Sequence, residues 1–245
     1  MSKEFWKAGN MVYPLPAVLI SCGAKGEKHN VFTVAWTGTI CTNPAMVYIS
    51  VRPERYSYHI IEQSKEFVIN LTNEKLALAT DFCGVRSGRN VDKFKEMNLT
   101  PIQGKCCNYA PLIEEAPVNI ECKVVDIQKL GSHHMFIANV LGVHVDRHYM
   151  NEKGKFELGK ADMIVYSHGE YYGLGSLLGT FGYSVRKDKV IKNTEKAFKS
   201  TENANRSKEK VIGKEKTMKT KDMTINSKSN VKPKKTLKEG KRKRK

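Results

Sequence analysis

What this chain lacks narrows its chemistry first. Its six cysteines (Cys22, Cys41, Cys83, Cys106, Cys107 and Cys122) include no C-x-x-C pair and no regular spacing. A disulfide framework is therefore not expected, and reduced thiols in a cytoplasmic protein are. The start, MSKEFWKAGNMVYPLP, has no apolar leader core, and no apolar run is long enough to span a bilayer, so no membrane contact is expected. There is no internal repeat and no steady alternation of strand with long helix, which argues against a doubly wound parallel sheet. Gly173, Gly175 and Gly179 invite a dinucleotide-binding fingerprint, but the last glycine lies one residue too far. The strand-to-helix setting and the later acidic residue are also missing, and these glycines are read as shaping a C-terminal loop. No Ser-His-Asp or Cys-His order and no paired-carboxylate signature stands out. That agrees with a protein whose chemistry is carried by a cofactor, and no catalytic side chain is assigned.

Charge is abundant but unevenly placed. The chain has 245 residues and a formal net charge of +17. Residues 187–245 hold 22 Lys/Arg against 7 Asp/Glu, a balance of +15, which leaves residues 1–186 at +2. A nearly neutral body therefore carries a basic tail, and any argument for a polyanionic partner applies to the tail. The body, residues 1–186, is long enough for one domain with a core. In the tail, apolar residues such as Val190, Ile191, Phe198, Val211 and Ile212 are too sparse to bury one. Disorder is the expectation for 187–245, with a transient helix around Lys189–Lys199 as an option.

Along the body, strands outnumber helices. Val18–Cys22, Val31–Cys41, Met46–Val51, Glu66–Leu71, Val118–Gln128, Phe136–Asp146 and Met163–Tyr166 read as strands. Ser57–Ser64, Asn73–Cys83 and Lys93–Met97 read as helices, with a polar loop over Gly84–Asn90 and a turn over Leu130–His134. Short connections and many strands favour a mainly β fold, a barrel or sandwich with a few peripheral helices.

The most informative stretch is Asn30–Glu62, NVFTVAWTGTICTNPAMVYISVRPERYSYHIIE. It reads as strand, turn, strand, an arginine-bearing loop, and the start of a helix. Arg52, Arg55, a cap serine at Ser57 and a helix start fall within six residues. First-turn amides and the helix dipole favour an anion there, so the segment reads as a phosphate site without a glycine-rich loop. Ser57, taken as the N-cap, either bonds a first-turn amide or turns to the phosphate. Trp36, placed on the preceding strand, adds an aromatic surface, and Asn30 and Thr33 offer hydrogen bonds to a heterocycle edge. An aromatic group and a phosphate together suggest a flavin nucleotide.

Elsewhere the plain readings hold. Lys93, in Asp92-Lys93-Phe94, reads as a solvated helix face. His133 and His134 point to opposite sides of an extended segment without a supporting ligand pattern, so no metal site is assigned. Cys106-Cys107 reads as structural.

The residues also carry a resemblance. Pro16–Ile20, Asn30-x-x-Thr33-x-x-Trp36, Asn43-Pro44, Ser50-Val51-Arg52-Pro53-x-Arg55-x-Ser57-x-x-Ile60-Ile61 and Phe67–Leu71 resemble the flavin reductase-like, FMN-binding split-barrel family. Asp92-Lys93-Phe94, Gly131-Ser132-His133, Gly142-Val143 and Tyr172-x-Leu174-Gly175 extend it over residues 10–185, and the flavoredoxin-like branch is the nearest in pattern. The resemblance implies an FMN-binding split β-barrel and a homodimer with FMN near the subunit interface. By its pattern Asn30, Thr33 and Trp36 line the isoalloxazine side, and Ser50, Val51, Arg52 and Ser57 surround the ribityl phosphate. Lys93 and His133 reach the flavin from separate loops, and Tyr166 is an aromatic wall. The family often has Thr where this chain has Ser57, and an acidic residue where it has Ser132. The basic tail has no counterpart in the pattern.

The function implied is an FMN-dependent oxidoreductase passing electrons from NAD(P)H to flavin or another small acceptor. Two alternatives stand beside it. One is an electron carrier like flavoredoxin, reduced by a protein donor and not by a nicotinamide. The other is a nucleic-acid-associated protein acting through the tail, whose blander form is non-specific contact with polyanions.

Overall fold

The computed structural model describes residues 2–185. Chain contacts divide into two units at Gly175/Ser176. In the second unit, Tyr183–Val185 form a single 3₁₀ turn. The basic tail and the helix considered over Lys189–Lys199 lie outside the described residues.

The first unit is mainly β. In chain order its strands are β1 (Leu15–Pro16), β2 (Val18–Cys22), β3 (Asn30–Val34), β4 (Thr37–Thr42), β5 (Ala45–Val51) and β6 (Glu66–Leu71). Then come β7 (Pro101–Ile102), β8 (Leu112–Ile113), β9 (Val118–Leu130), β10 (His133–Val145), β11 (Ile164–Ser167) and β12 (Glu170–Gly173). The α-helices are α1 (Tyr56–Ser64), α2 (Ala77–Val85) and α3 (Lys93–Glu96). Seven strands form one antiparallel sheet in the order β3-β2-β6-β9-β10-β5-β4. Its two edge strands, β3 and β4, are consecutive in the chain and joined only by Ala35 and Trp36. A two-residue link between opposite edges forces the sheet to curl on itself. The Ser50 amide fastens that link by donating to the Trp36 carbonyl at 2.8 Å.

This closure corrects the expectation of one strand across Val31–Cys41. The alternation persists on both sides of the bend, so periodicity does not reveal it. Trp36 accordingly sits in the bend and not on a strand. Four short strands, β1, β7, β8 and β12, also carry no usable periodicity over two to four residues.

β2 is buried along its whole length because it packs on both sides. Val18, Ile20 and Cys22 face the barrel interior with Phe67, Ile69, Ile49 and Phe136. Leu19 faces outward under α2 and α3, with Val31, Leu76, Cys83 and Phe94. That second cluster seats the helices beside β3. At the opposite side, buried Glu121 accepts from the amides of Lys105, Cys106 and Cys107 at 3.0, 2.8 and 2.6 Å. Glu66 accepts from those of Asn108 and Tyr109 at 2.9 and 3.0 Å, so two carboxylates clamp five successive amides. Among the described residues no helix is long and apolar enough to cross a membrane.

Candidate functional site

The site begins where β5 runs out. Arg52–Arg55 leave the sheet and Arg55, extended at φ −66° and ψ 136°, caps α1. This corrects the placing of Ser57 as N-cap: Tyr56 is already helical, so Ser57 lies in the first turn. No side chain caps the helix from outside. Ser57 is buried, and its hydroxyl accepts from Asn30 Nδ2 at 2.7 Å, tying α1 to β3. Arg55 Nη1 donates to the Gly84 carbonyl of α2 at 3.1 Å, and Arg52 pairs with Glu54 at 3.0 Å.

Lys93 departs from the solvated face expected of it. It is 4% exposed, and its Nζ donates to the carbonyls of Val31 and Cys83, each at 2.8 Å. The cause is the seating of α3, which begins at Lys93 with Asp92 as its cap and Phe94 in the core. Burial, with Arg55 nearby, pushes the Lys93 ammonium down to about 8.

An aromatic surface faces this polar end. The rings of Trp36 and His133 lie 4.4 Å apart at 40°. Ser132, which stands where the family often has an acidic residue, places its Oγ 3.0 Å from His133 Nδ1. Burial first, and then Arg52, hold His133 below its ordinary value, favouring the neutral ring. His134 turns the other way, its Nδ1 2.7 Å from Tyr58 Oη. Tyr166 lies between Tyr13 and Tyr171, at 6.3 and 5.6 Å between ring centres. Thr33 uses its hydroxyl to donate to the Thr80 carbonyl of α2.

Two cavities share Phe32, Arg52 and Arg55 in their walls. The first, about 360 Å³, is aromatic: Thr33, Trp36, Ser50, Val51, Arg52, His133 and Tyr166 all border it. The second, about 270 Å³, is basic, and Asn30, Arg52, Ser57 and Lys93 border it with Arg55 and Arg86. All ten residues singled out in the sequence therefore border one or both cavities. They are grouped differently from the resemblance: Asn30 stands with Ser57 and Lys93, while Ser50 and Val51 stand with Trp36.

Residues 10–175 match the flavin reductase-like domain family. The chain belongs to that family.

This flavin reductase-like domain is 29% identical to an uncharacterized protein of Pyrococcus abyssi over 153 residues, 62% of this chain and 83% of the relative. Among solved structures it is similar to the flavoredoxin of Desulfovibrio vulgaris (Miyazaki F), 27% identical with a TM-score of 0.70. That match covers 76% of this chain and all of the flavoredoxin. A flavoredoxin from Methanosarcina acetivorans is 25% identical, again over 76% of this chain and all of the other, with a TM-score of 0.68. The fold is that of the FMN-binding split barrels, and the family typically binds FMN.

The residues of the flavin reductase-like domain fit that group. The basic cavity offers a hydroxyl, an amide, an ammonium, guanidinium groups and the start of a nine-residue helix, a donor set suited to a phosphate. Gly88 lies so close over Asn30 that a Cβ would collide with its Oδ1 and come within 2.8 Å of the Tyr56 ring, so the loop over the cavity needs glycine there. Arg86 and Gly88 fall in the polar loop Gly84–Asn90, whose basic residues were the available signal. Asp81 and Tyr171 of the aromatic cavity, 90 residues apart, left none.

Proposed function

We propose that this domain binds FMN across the two cavities and passes electrons from NAD(P)H to flavin or another small acceptor. The observation that carries the reading is the joining of an aromatic cavity to a basic one through shared Arg52, Arg55 and Phe32. A homodimer is part of the proposal, and the half-exposed apolar row Leu141, Val143 and Val145 on β10 supports it.

FMN, when bound, supplies the two-electron redox chemistry. The chain's residues bind and orient it. Arg52, Arg55 and Lys93, with the first turn of α1, neutralise the phosphate. Trp36 and His133 form a shelf for the ring system, and the neutral imidazole offers a hydrogen bond without adding charge. Tyr166 closes the far wall and limits the entry of water. Holding donor and cofactor rings in one reactive arrangement is the main contribution expected of the protein.

The test is the visible spectrum of purified protein with added FMN, before and after NADH. A protein that leaves FMN unbound removes the proposal. A second reading, an electron carrier reduced by a protein donor, is favoured by the likeness to two flavoredoxins. NADH and NADPH oxidation with free flavin or a ferric acceptor separates them. Oxidation supports the reductase, whereas its absence with rapid reduction by a protein donor supports the carrier.

A further inference from the structure

Asp81 is the one acidic residue in the wall of the aromatic cavity among the described residues, and neither the phosphate site nor the aromatic shelf uses it. It lies on α2, whose Gly84 carbonyl accepts from Arg55, and Arg52 and His133 border the same cavity. Tyr171, on β12, borders the same cavity and donates from its hydroxyl to Asp81 Oδ1 at 3.4 Å. That bond links the small β1-β11-β12 sheet to the helix, and Tyr171 packs against Tyr166 at 5.6 Å. Burial, then the neighbouring carboxylate, pushes the Tyr171 phenol up to about 12, so it keeps the proton it donates. Asp81 is itself exposed, at the open side of the cavity, so the bond does not offset burial; what it does is fix the direction of a carboxylate otherwise free to turn into solvent.

We propose that Asp81, held in place by Tyr171, is a positioning pair that sets the charge balance of the flavin cavity and keeps the reduction potential of bound FMN low. The inference rests on the FMN reading above. Two-electron reduction with uptake of one proton adds a negative charge to the bound group. The arginines favour that charge and Asp81 opposes it, by ordinary Coulomb attraction and repulsion at short range. Without Asp81 the reduced state would bind more tightly relative to the oxidised one. For one partly solvated charge the expected ratio is about three- to fivefold.

Spectroelectrochemical titration of the FMN-loaded full chain, paired with FMN affinity in the oxidised state, tests this. Asp81→Asn is expected to raise the midpoint potential, equivalent to about three- to fivefold tighter relative binding of reduced FMN, and the rise should shrink as salt is added. Tyr171→Phe should shift it the same way by less, because the freed carboxylate swings to solvent. Tyr172→Phe is the control: it is the next residue on β12, half-exposed and on the opposite face, bonded to Glu170. A wild-type protein that binds no FMN overturns the functional reading and this inference with it. A wild type that binds FMN, beside an Asp81→Asn variant with unchanged potential, overturns the inference alone. So does a Tyr171→Phe shift of opposite sign, or an equal shift in Tyr172→Phe.

Discussion

Among the charges the domain buries are two of opposite sign, Glu121 and Lys93, which it satisfies to different degrees. Glu121, on the loop side, is fully buried and accepts from three successive amides and from His144 Nε2 at 2.6 Å. Burial pushes its carboxyl up, but the bonds from Cys107, His144, Cys106 and Lys105 outweigh that and hold it down at about 2. Lys93, on the cavity side, gives two of its three ammonium protons to carbonyls. The third has no protein acceptor among the described residues, and burial carries the group down to about 8. A charge whose bonding capacity is filled by fixed backbone locks structure. A charge left partly open beside a cavity is poised for an anion.

The largest expected effect breaks the locked side. Glu121→Ala removes the acceptor from three amides and from His144, which should cost about 3–5 kcal/mol in urea unfolding. FMN affinity of the folded fraction should stay within about twofold, since Glu121 borders neither cavity. Acid reads the same lock. The folded carboxyl titrates at about 2 against an ordinary 4.5. Its stabilisation is therefore complete above about 4.5 and is lost as pH falls from there toward 2, roughly 3 kcal/mol in all. Loss of FMN without loss of stability would reverse the contrast.

How much of this was legible in the sequence depends on how local each cause is. β2 and β6 have the limits expected, because a short run buried on both faces declares itself without alternation. The helix after Arg52 was legible because its start is marked within six residues. The bend at Trp36 was not, since sheet closure is a property of the edge strands together. The ten residues marked by the family resemblance border the two cavities, but how they divide between the two was not legible. Asn30 meets Ser57 across 27 residues, and Lys93 reaches Val31 across 62. A lysine in a four-residue helix reads as solvated until Phe94 seats that helix in the core. Asp81 and Tyr171 meet only through the joining of two sheets by a helix, which no local pattern encodes.

The next effect falls on the open side. Lys93→Met keeps the apolar stem, leaves two carbonyls without a donor and abolishes a buried charge. The last two changes roughly offset, so stability should move by less than about 1 kcal/mol. FMN affinity should fall about 10- to 100-fold, the worth of one hydrogen bond to a charged group. Isothermal titration beside urea unfolding gives both numbers. A large loss of stability with FMN binding intact would make Lys93 a second structural lock and dissolve the contrast with Glu121.

The smallest effect is the most specific to an open charge. In the free protein the Lys93 ammonium is weakened to about 8 from an ordinary 10.5. Free-protein stability is therefore lowered while Lys93 is charged, below about 8, and recovers as pH rises toward 10.5, because there the unfolded chain holds more protons. A phosphate beside the ammonium favours the charged form and raises that value again. Binding then takes up a proton above about 8, so FMN affinity is full below that pH and declines as pH rises. A fall of about tenfold between roughly pH 7.5 and 9.5 is the size expected for one linked proton. In Lys93→Met the profile should be flat over that range, and proton uptake measured by titration in buffers of different ionisation enthalpy should vanish. A wild-type profile as flat as the variant's would mean that the third proton of Lys93 faces no phosphate.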